Sequence, residues 1–294
     1  MFGWTIDEAT SFRVLDAFVG AGCNLIDTAD SYSRWAPGHE GGESETIIGR
    51  WIATRGRHDD VIIATKVGSD MGLGYRCLRA DYIVKAAEDS LRRLNVEAID
   101  LYQSHWDDDK TPFDETLEAY SRLIKQGKVK AIGASNLTAE RLGQALAASR
   151  QHGYPLYQSL QPHYNLYERA SYEGALEDLC VRENIGVITY FSLAAGFLTG
   201  KYRSEADFAK SARGAGMQKF LNPRGFAILA ALEAVAQKYH ATMAQVAVAW
   251  LMHRPSVTAP IASATSVAQL EELVVAARLD LGAEAMEALN QASH

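Results

Sequence analysis

Two hydrophobic patterns alternate along the chain, short aliphatic runs and stretches whose apolar residues recur at helical spacing. Leu25-Ile26, bounded by polar residues, reads as a buried strand and ends at Asp27. Val61-Ile62-Ile63-Ala64-Thr65 ends in Lys66, Ile99 to Gln103 ends at Ser104-His105-Trp106, and Val129 to Gly133 ends at Ala134-Ser135-Asn136. Tyr157 to Leu160, Val187 to Tyr190 and Val257 to Ile261 complete the predicted strands.

Amphipathic helices separate them. Thr5-Ile6-Asp7-Glu8 reads as a capping box for a helix carrying Phe12, Leu15, Phe18 and Val19, which stops at Gly20 and Gly22. Further helices carry Ile47, Trp51 and Ile52, then Ile83, Ala87 and Leu91, then Leu117, Tyr120 and Leu123, and so on to a last one with Met286 and Leu289. The alternation lapses only after Tyr190, for a stretch long enough to suggest function.

Strict βα alternation implies a parallel sheet with right-handed crossovers, doubly wound or closed into a barrel. Even spacing and polar residues after nearly every strand favour closure, because a barrel gathers all its strand ends at one mouth. No linker or composition break divides the chain, so residues 1–294 read as a single barrel domain. The pattern starts with a helix where a (β/α)8 barrel starts with a strand.

Composition adds limits. The 294 residues are 48% hydrophobic and 22% charged, as in ordinary globular proteins. A net charge of −7 argues against nucleic acid or an anionic membrane as the main partner. Cys23, Cys77 and Cys180 are too scattered for a disulfide framework or a cysteine-rich zinc site, and no metal is expected. With no apolar run near the ~18 residues of a membrane span and no leader pattern, a soluble cytoplasmic protein is expected. The pattern carries no signal for an oligomeric state.

Asp27, Tyr32, Lys66 and His105 follow three successive strands. Taken singly, Asp27 or Asp30 reads as a cap, Tyr32 as a half-buried aromatic and His105 as a core histidine. Lys66 resists so plain a reading, because a lysine closing an apolar strand needs a carboxylate partner, which Asp27 supplies. Together the residues make a working set for carbonyl reduction. Lys66 should lower the pKa of Tyr32 and make it a general acid, with Asp27 holding the lysine and His105 orienting the carbonyl. The hydride would come from a nicotinamide cofactor, yet no G-x-G-x-x-G follows a strand.

Over nearly its whole length the sequence resembles the aldo-keto reductases. The resemblance rests on Ile26-Asp27-Thr28-Ala29-Asp30-Ser31-Tyr32, Gly41-Gly42-Glu43-Ser44-Glu45, Ala64-Thr65-Lys66 and Asp100-Leu101-Tyr102-Gln103-Ser104-His105. It extends through Gly127-Lys128-Val129-Lys130-Ala131-Ile132-Gly133-Ala134-Ser135-Asn136 and Gly196-Phe197-Leu198-Thr199-Gly200-Lys201-Tyr202. It implies a (β/α)8 TIM-type barrel, the tetrad Asp27, Tyr32, Lys66 and His105, and a small-molecule aldehyde, ketone or sugar as substrate.

The resemblance also implies a cofactor site. Ser135, Asn136 and Gln158 match positions that hold the nicotinamide amide, and Tyr190 the aromatic that stacks on its ring. Lys201 and Arg213 fall in the belt over the pyrophosphate, where cations suit phosphate. Ser263, Thr265, Ser266, Gln269 and Glu272 match positions around the adenosine and its 2′-phosphate, and Ser266-Val267-Ala268-Gln269 also reads as a capping box. NADP(H) is expected in preference to NAD(H). Against that stand Leu273 in place of a usual Asn and the lack of an Arg between Ser263 and Glu272. Tyr190-Phe191-Ser192-Leu193 replaces the commoner Tyr-Ser-Pro-Leu.

Met1-Phe2-Gly3-Trp4 aligns just after the family's first strand, so the barrel is expected to lack its N-terminal hairpin and first strand. A version extended upstream is expected to be more stable and more active. Trp35, His39, Trp106 and Tyr164 are candidates for an aromatic mouth. Two other classes stay open: a non-catalytic or weakly active NADP-binding regulatory module like the potassium-channel β subunits, and a metal-dependent hydrolase using His105, Asp107 and Asp27.

Overall fold

A computed structural model describes residues 2–211 and 213–294. The chain forms two compact units. The first comprises Met1–Gln161 with Arg182–Ile185 and Ala264–Val267, and the second Pro162–Val181, Gly186–Ser263 and Ala268–His294.

In the first unit, α1 (Glu8–Gly20) leads to β1 (Leu25–Asp27), α2 (Glu43–Arg55) and β2 (Ile62–Val67). Then come α3 (Ala80–Leu94), β3 (Ile99–Ser104), α4 (Phe113–Lys125), β4 (Val129–Ser135), α5 (Ala139–His152) and β5 (Ser159–Gln161). The strands lie side by side in chain order and all are parallel. Asp27 is level with Ala64, Lys66 with Gln103, Gln103 with Gly133, and Ser135 with Gln161. Polar residues at the carboxyl ends of successive strands therefore come together.

Alternation along β2 sorts its side chains. Ile63, Ala64, Thr65, Lys66 and Val67 are all buried, so neither face of the strand meets water. Thr65 turns to α2, where its hydroxyl donates to the buried Glu45 carboxylate at 2.5 Å. Arg93 of α3 donates to the same carboxylate at 2.7 Å. The two helices approach closely at Gly49, where a Cβ would collide with the Arg93 carbonyl.

The second unit holds α6 (Ala175–Arg182, its last residue grouped with the first unit) and β6 (Gly186–Thr189). The long connection after β6 is built of 3-10 turns at Ala194–Thr199, Glu205–Lys210 and Gly214–Phe220. Next come α7 (Pro223–Lys238), α8 (Met243–Met252), β7 (Ala259–Pro260), α9 (Val267–Val275, its first residue grouped with the first unit) and α10 (Ala283–Ala292). β6 and β7 pair in parallel. The core includes the fully buried Tyr164, Tyr172 and Trp250, with Tyr164 donating to Glu173 at 2.6 Å. Among the described residues no helix is long and apolar enough to cross a membrane.

Three local expectations are corrected. The α1 cap is Asp7, accepting from the Thr10 amide at 2.8 Å, rather than Thr5, because the helix starts later than the capping-box pattern implies. β5 starts at Ser159, so Gln158 precedes the strand and Gln161 ends it. Asp30 caps no helix; it is a carboxyl group only 2% exposed, with one oxygen lacking a partner.

Candidate active site

The site is built in the first unit on Lys66. Its side chain is fully buried, and an ammonium in that position must satisfy three N–H groups. It donates to Asp27 Oδ2 at 2.6 Å, to the Thr28 carbonyl at 2.8 Å and to Tyr32 Oη at 2.9 Å. All three protons are used. Burial alone would push the ammonium toward neutrality, but Asp27 and the Tyr32 oxygen outweigh it and raise the pKa above the ordinary lysine value.

Asp27 is held from the other side. Its Oδ1 accepts from Gln161 Nε2 at 2.8 Å and from Gln103 Nε2 at 3.3 Å. The carboxylate is thus clamped by two strand-end amides and one ammonium. Nothing in the spacing of the sequence singles out these glutamines. The usable signal is the parallel register, which places Gln103 level with Lys66 and Gln161 level with Ser135.

Tyr32 accepts the lysine proton, whereas among the described residues its own O–H reaches only Asp27 Oδ2, at 3.5 Å. A phenolic proton so weakly engaged is free for another acceptor. The expected lowering of its pKa is overturned: burial raises it, and the Lys66 charge offsets that only in part.

The imidazole of His105 lies 5.8 Å from the Tyr32 ring, centre to centre, at an interplanar angle of 73°. Burial, with the Lys66 and Arg76 charges, holds its pKa well below the ordinary histidine value, so the ring is neutral. Trp106 stacks on it at 5.8 Å, and Arg76 lies 4.3 Å over the indole. Asn136 Nδ2 donates to the His105 carbonyl at 2.9 Å and to Ser135 Oγ at 3.0 Å, and Ser135 donates to the Gln161 carbonyl at 2.7 Å. Asn136 holds this position in the left-handed region, at φ 58°.

The Aldo/keto reductase family model matches residues 1–294. The chain belongs to this family. It is 35% identical over 280 residues to "Aldo-keto reductase YhdN" of Bacillus subtilis (strain 168), covering 93% of this chain and 80% of that protein. It is 29% identical over 303 residues to "Aldo-keto reductase yakc [NADP(+)]" of Schizosaccharomyces pombe (strain 972 / ATCC 24843), covering 99% and 84%. It is also 29% identical over 280 residues to "Probable voltage-gated potassium channel subunit beta" of Arabidopsis thaliana, covering 92% and 83%. Membership makes the protein an oxidoreductase of the carbonyl-reducing kind. The fold class is the (β/α)8 barrel, with β1–β7 as the strands among the described residues.

In this aldo/keto reductase Asp27, Tyr32, Lys66 and His105 lie close together, but Gln158 does not join them. It is exposed, lies before β5, and its backbone N–H donates to the Ile132 carbonyl at 2.8 Å. Gln161, at the other end of the strand, stands beside Ser135 and Asn136 instead. A displacement of three positions along a strand, an odd number, turns a side chain to the opposite face and sets it back about 10 Å from the carboxyl end.

The remaining expected cofactor residues are described where they stand. Thr265 and Ser266, in the first unit, are half-buried and follow β7, with α9 starting at the next residue. In the second unit Tyr190 directly follows β6 and stacks on His163 at 5.1 Å and 18°. Lys201 is exposed, with its ammonium 5.1 Å over the Tyr202 ring, and Arg213 precedes the turn Gly214–Phe220. Ser263 and Gln269 are exposed; Glu272 is half-buried and its carbonyl accepts from Gln245 at 3.0 Å.

The hydrolase alternative loses support, and Tyr164 leaves the candidate aromatic mouth. Asp107 is held by Arg141 through bonds of 2.7 and 2.8 Å, and Asp27 by Lys66, so neither is free as a metal ligand. Tyr164 braces the second unit's core, whereas Trp35, 56% exposed, packs edge-on against Trp4 at 5.4 Å and Tyr32 at 6.2 Å.

Proposed function

We propose that the protein reduces aldehydes or ketones with a nicotinamide cofactor, or oxidises the corresponding alcohols or sugars, with Tyr32 as general acid and base. The observation that carries this reading is the Lys66 ammonium bonded at once to Asp27 and to the Tyr32 oxygen. A bound reduced nicotinamide would supply the hydride.

The protein's own part is to hold and move a proton. Tyr32 Oη gives its proton to the carbonyl oxygen, and Lys66 stabilises the phenolate that remains. Asp27, fixed by Gln103 and Gln161, keeps the lysine aimed at that oxygen. His105, neutral, donates a hydrogen bond to the same carbonyl. In the reverse direction Tyr32 takes the proton from an alcohol.

Amide and hydroxyl groups near His105, which can both give and accept hydrogen bonds, suit a carboxamide. A hydroxyl and an amide stand at the end of β4, tied to the His105 carbonyl, and we assign Ser135, Asn136 and Gln161 to that task. Tyr190 for the ring, Lys201 and Arg213 for phosphate, and Ser263, Thr265, Ser266, Gln269 and Glu272 for the adenosine end are proposed on the family resemblance alone. NADP(H) is proposed over NAD(H) on the same ground, with the printed name of the Schizosaccharomyces relative in support.

The test is titration with NADPH and NADH by fluorescence, followed by an aldehyde and ketone panel on the parent and on Tyr32→Phe. Loss of turnover by about 10²-fold or more, with cofactor binding retained, is the expected result. Unchanged turnover would sink the assignment of the proton donor. Tight cofactor binding by a parent that turns nothing over would favour the regulatory-module reading.

A further inference from the structure

His105 can orient a carbonyl only if the nitrogen facing the substrate carries a proton. A neutral imidazole has one N–H and one bare nitrogen, and the hydrogen bond at one decides the state of the other. In this chain Nδ1 of His105 lies 2.9 Å from the hydroxyl of Ser69. Nε2 makes no hydrogen bond among the described residues.

Backbone geometry brings the two together. β2 and β3 run in register to Val67 and Ser104, and the His105 amide donates to the Val67 carbonyl at 2.8 Å. The chain then turns at Gly68, at φ +105°, where a Cβ would come within 2.6 Å of Leu78. That turn sets Ser69, 8% exposed, against the imidazole.

Which group donates follows from the count of partners. Nδ1 is the one partner of the Ser69 hydroxyl among the described residues. If Nδ1 carried the proton and donated to the serine oxygen, the serine O–H would be left without an acceptor in a nearly dry place, which is unfavourable. If the serine donates, both groups are satisfied and the ring proton must sit on Nε2. The charged groups facing the ring are Lys66 and Arg76, both cationic, which disfavour the imidazolium and leave just the two neutral forms. Trp106 stacked on the ring and Arg76 over the indole resist a ring flip that would exchange the nitrogens.

We propose that Ser69 is a positioning residue that fixes His105 in the Nε2–H tautomer, so that the imidazole donates to the substrate carbonyl. The proposal rests on the carbonyl-reduction reading above, but its primary readout does not.

The experiment is a two-bond 15N–1H correlation spectrum of 15N-histidine-labelled protein near neutral pH, without cofactor, on the parent, Ser69→Ala and Ser69→Thr. The parent is expected to show a bare Nδ1 and a protonated Nε2 for His105, Ser69→Ala a shift toward the Nδ1–H form, and Ser69→Thr the parental pattern. Turnover by Ser69→Ala should fall about tenfold in kcat/KM, the equivalent of one neutral hydrogen bond, with NADPH affinity unchanged. A parent in the Nδ1–H form, or a Ser69→Ala spectrum like the parent's, overturns the proposal. Should Ser69→Ala not fold, the parent spectrum and Ser69→Thr decide it. An inactive parent with the expected tautomer would count against the reductase reading and leave the Ser69 assignment standing.

Discussion

Lys66 Nζ lies 2.6 Å from Asp27 Oδ2, and the lysine side chain exposes none of its surface (0%). The pair is therefore costly to form and costlier to break. Desolvation of both ions opposes its formation, and the two glutamine amides on the far carboxylate oxygen help to offset that cost.

Asp27→Ala should accordingly destabilise the protein more than Lys66→Met. The first leaves a buried ammonium facing only a carbonyl and a phenol, a loss on the order of 3–5 kcal/mol. The second leaves a carboxylate that still accepts from Gln103 and Gln161, and replaces the stem with one of similar volume. Both should abolish turnover. Urea unfolding of the two variants checks the order, and equal midpoints would show that the carboxylate is not what compensates the lysine.

Gln161 and Gln158 separate cleanly by substitution. Gln161→Ala removes the 2.8 Å bond to Asp27 and should cost about 1–3 kcal/mol together with a fall in kcat. Gln158→Ala changes an exposed residue and should stay within about 0.5 kcal/mol, with cofactor affinity and kcat unaltered. A loss of cofactor binding in Gln158→Ala would contradict the placement of that residue before β5.

Those two glutamines also mark where sequence reading stopped. The alternation of elements was legible because a strand covered on both faces needs a continuous apolar run, and Lys66 stood out because an ammonium within such a run demands a carboxylate. Gln158 and Gln161 bracket the same short run, and β5 keeps only Ser159, Leu160 and Gln161. Periodicity does not say at which residue pairing starts, and that decides which glutamine stands at the strand's carboxyl end. Ser69 was invisible for a related reason. Its partner His105 is 36 residues away and reaches it through strand register and the bend at Gly68. The sign of the Tyr32 shift was missed because the sequence supplies the neighbouring charge but not the degree of burial, and here burial is the larger effect.

Turnover should be nearly independent of pH across the neutral range. A histidine pKa held well below 6.5 keeps His105 neutral at every pH above that lowered value. A tyrosine pKa raised above 10.0 keeps the Tyr32 proton in place at every pH below the raised value. Neither group then titrates in between, and kcat/KM for carbonyl reduction should show a plateau rather than a limb near ~6.5. A bell with its acid side at that position, absent from His105→Gln, would mean that the imidazole is solvated and chargeable.

Asp30 should make stability fall as pH rises. Burial, and then the neighbouring Glu45, push its pKa from 3.8 up to about 8, against smaller opposing effects of Arg93 and Lys66. The folded protein holds this proton where the unfolded chain has released it. The stabilisation is therefore complete below the unfolded value and disappears as pH climbs through the folded one. Between about pH 4 and pH 8 the slope from this single group can reach about 1.4 kcal/mol per pH unit. Asp30→Asn removes the titration while keeping the side-chain volume, and His105, which titrates in the opposite sense, is common to both proteins and cancels in the difference. The parent's stability relative to Asp30→Asn, from urea unfolding at a series of pH values, should decline steadily across that window. Parallel curves would mean that Asp30 is ionised in the fold, and its unpartnered oxygen would then need a cation or water beside it.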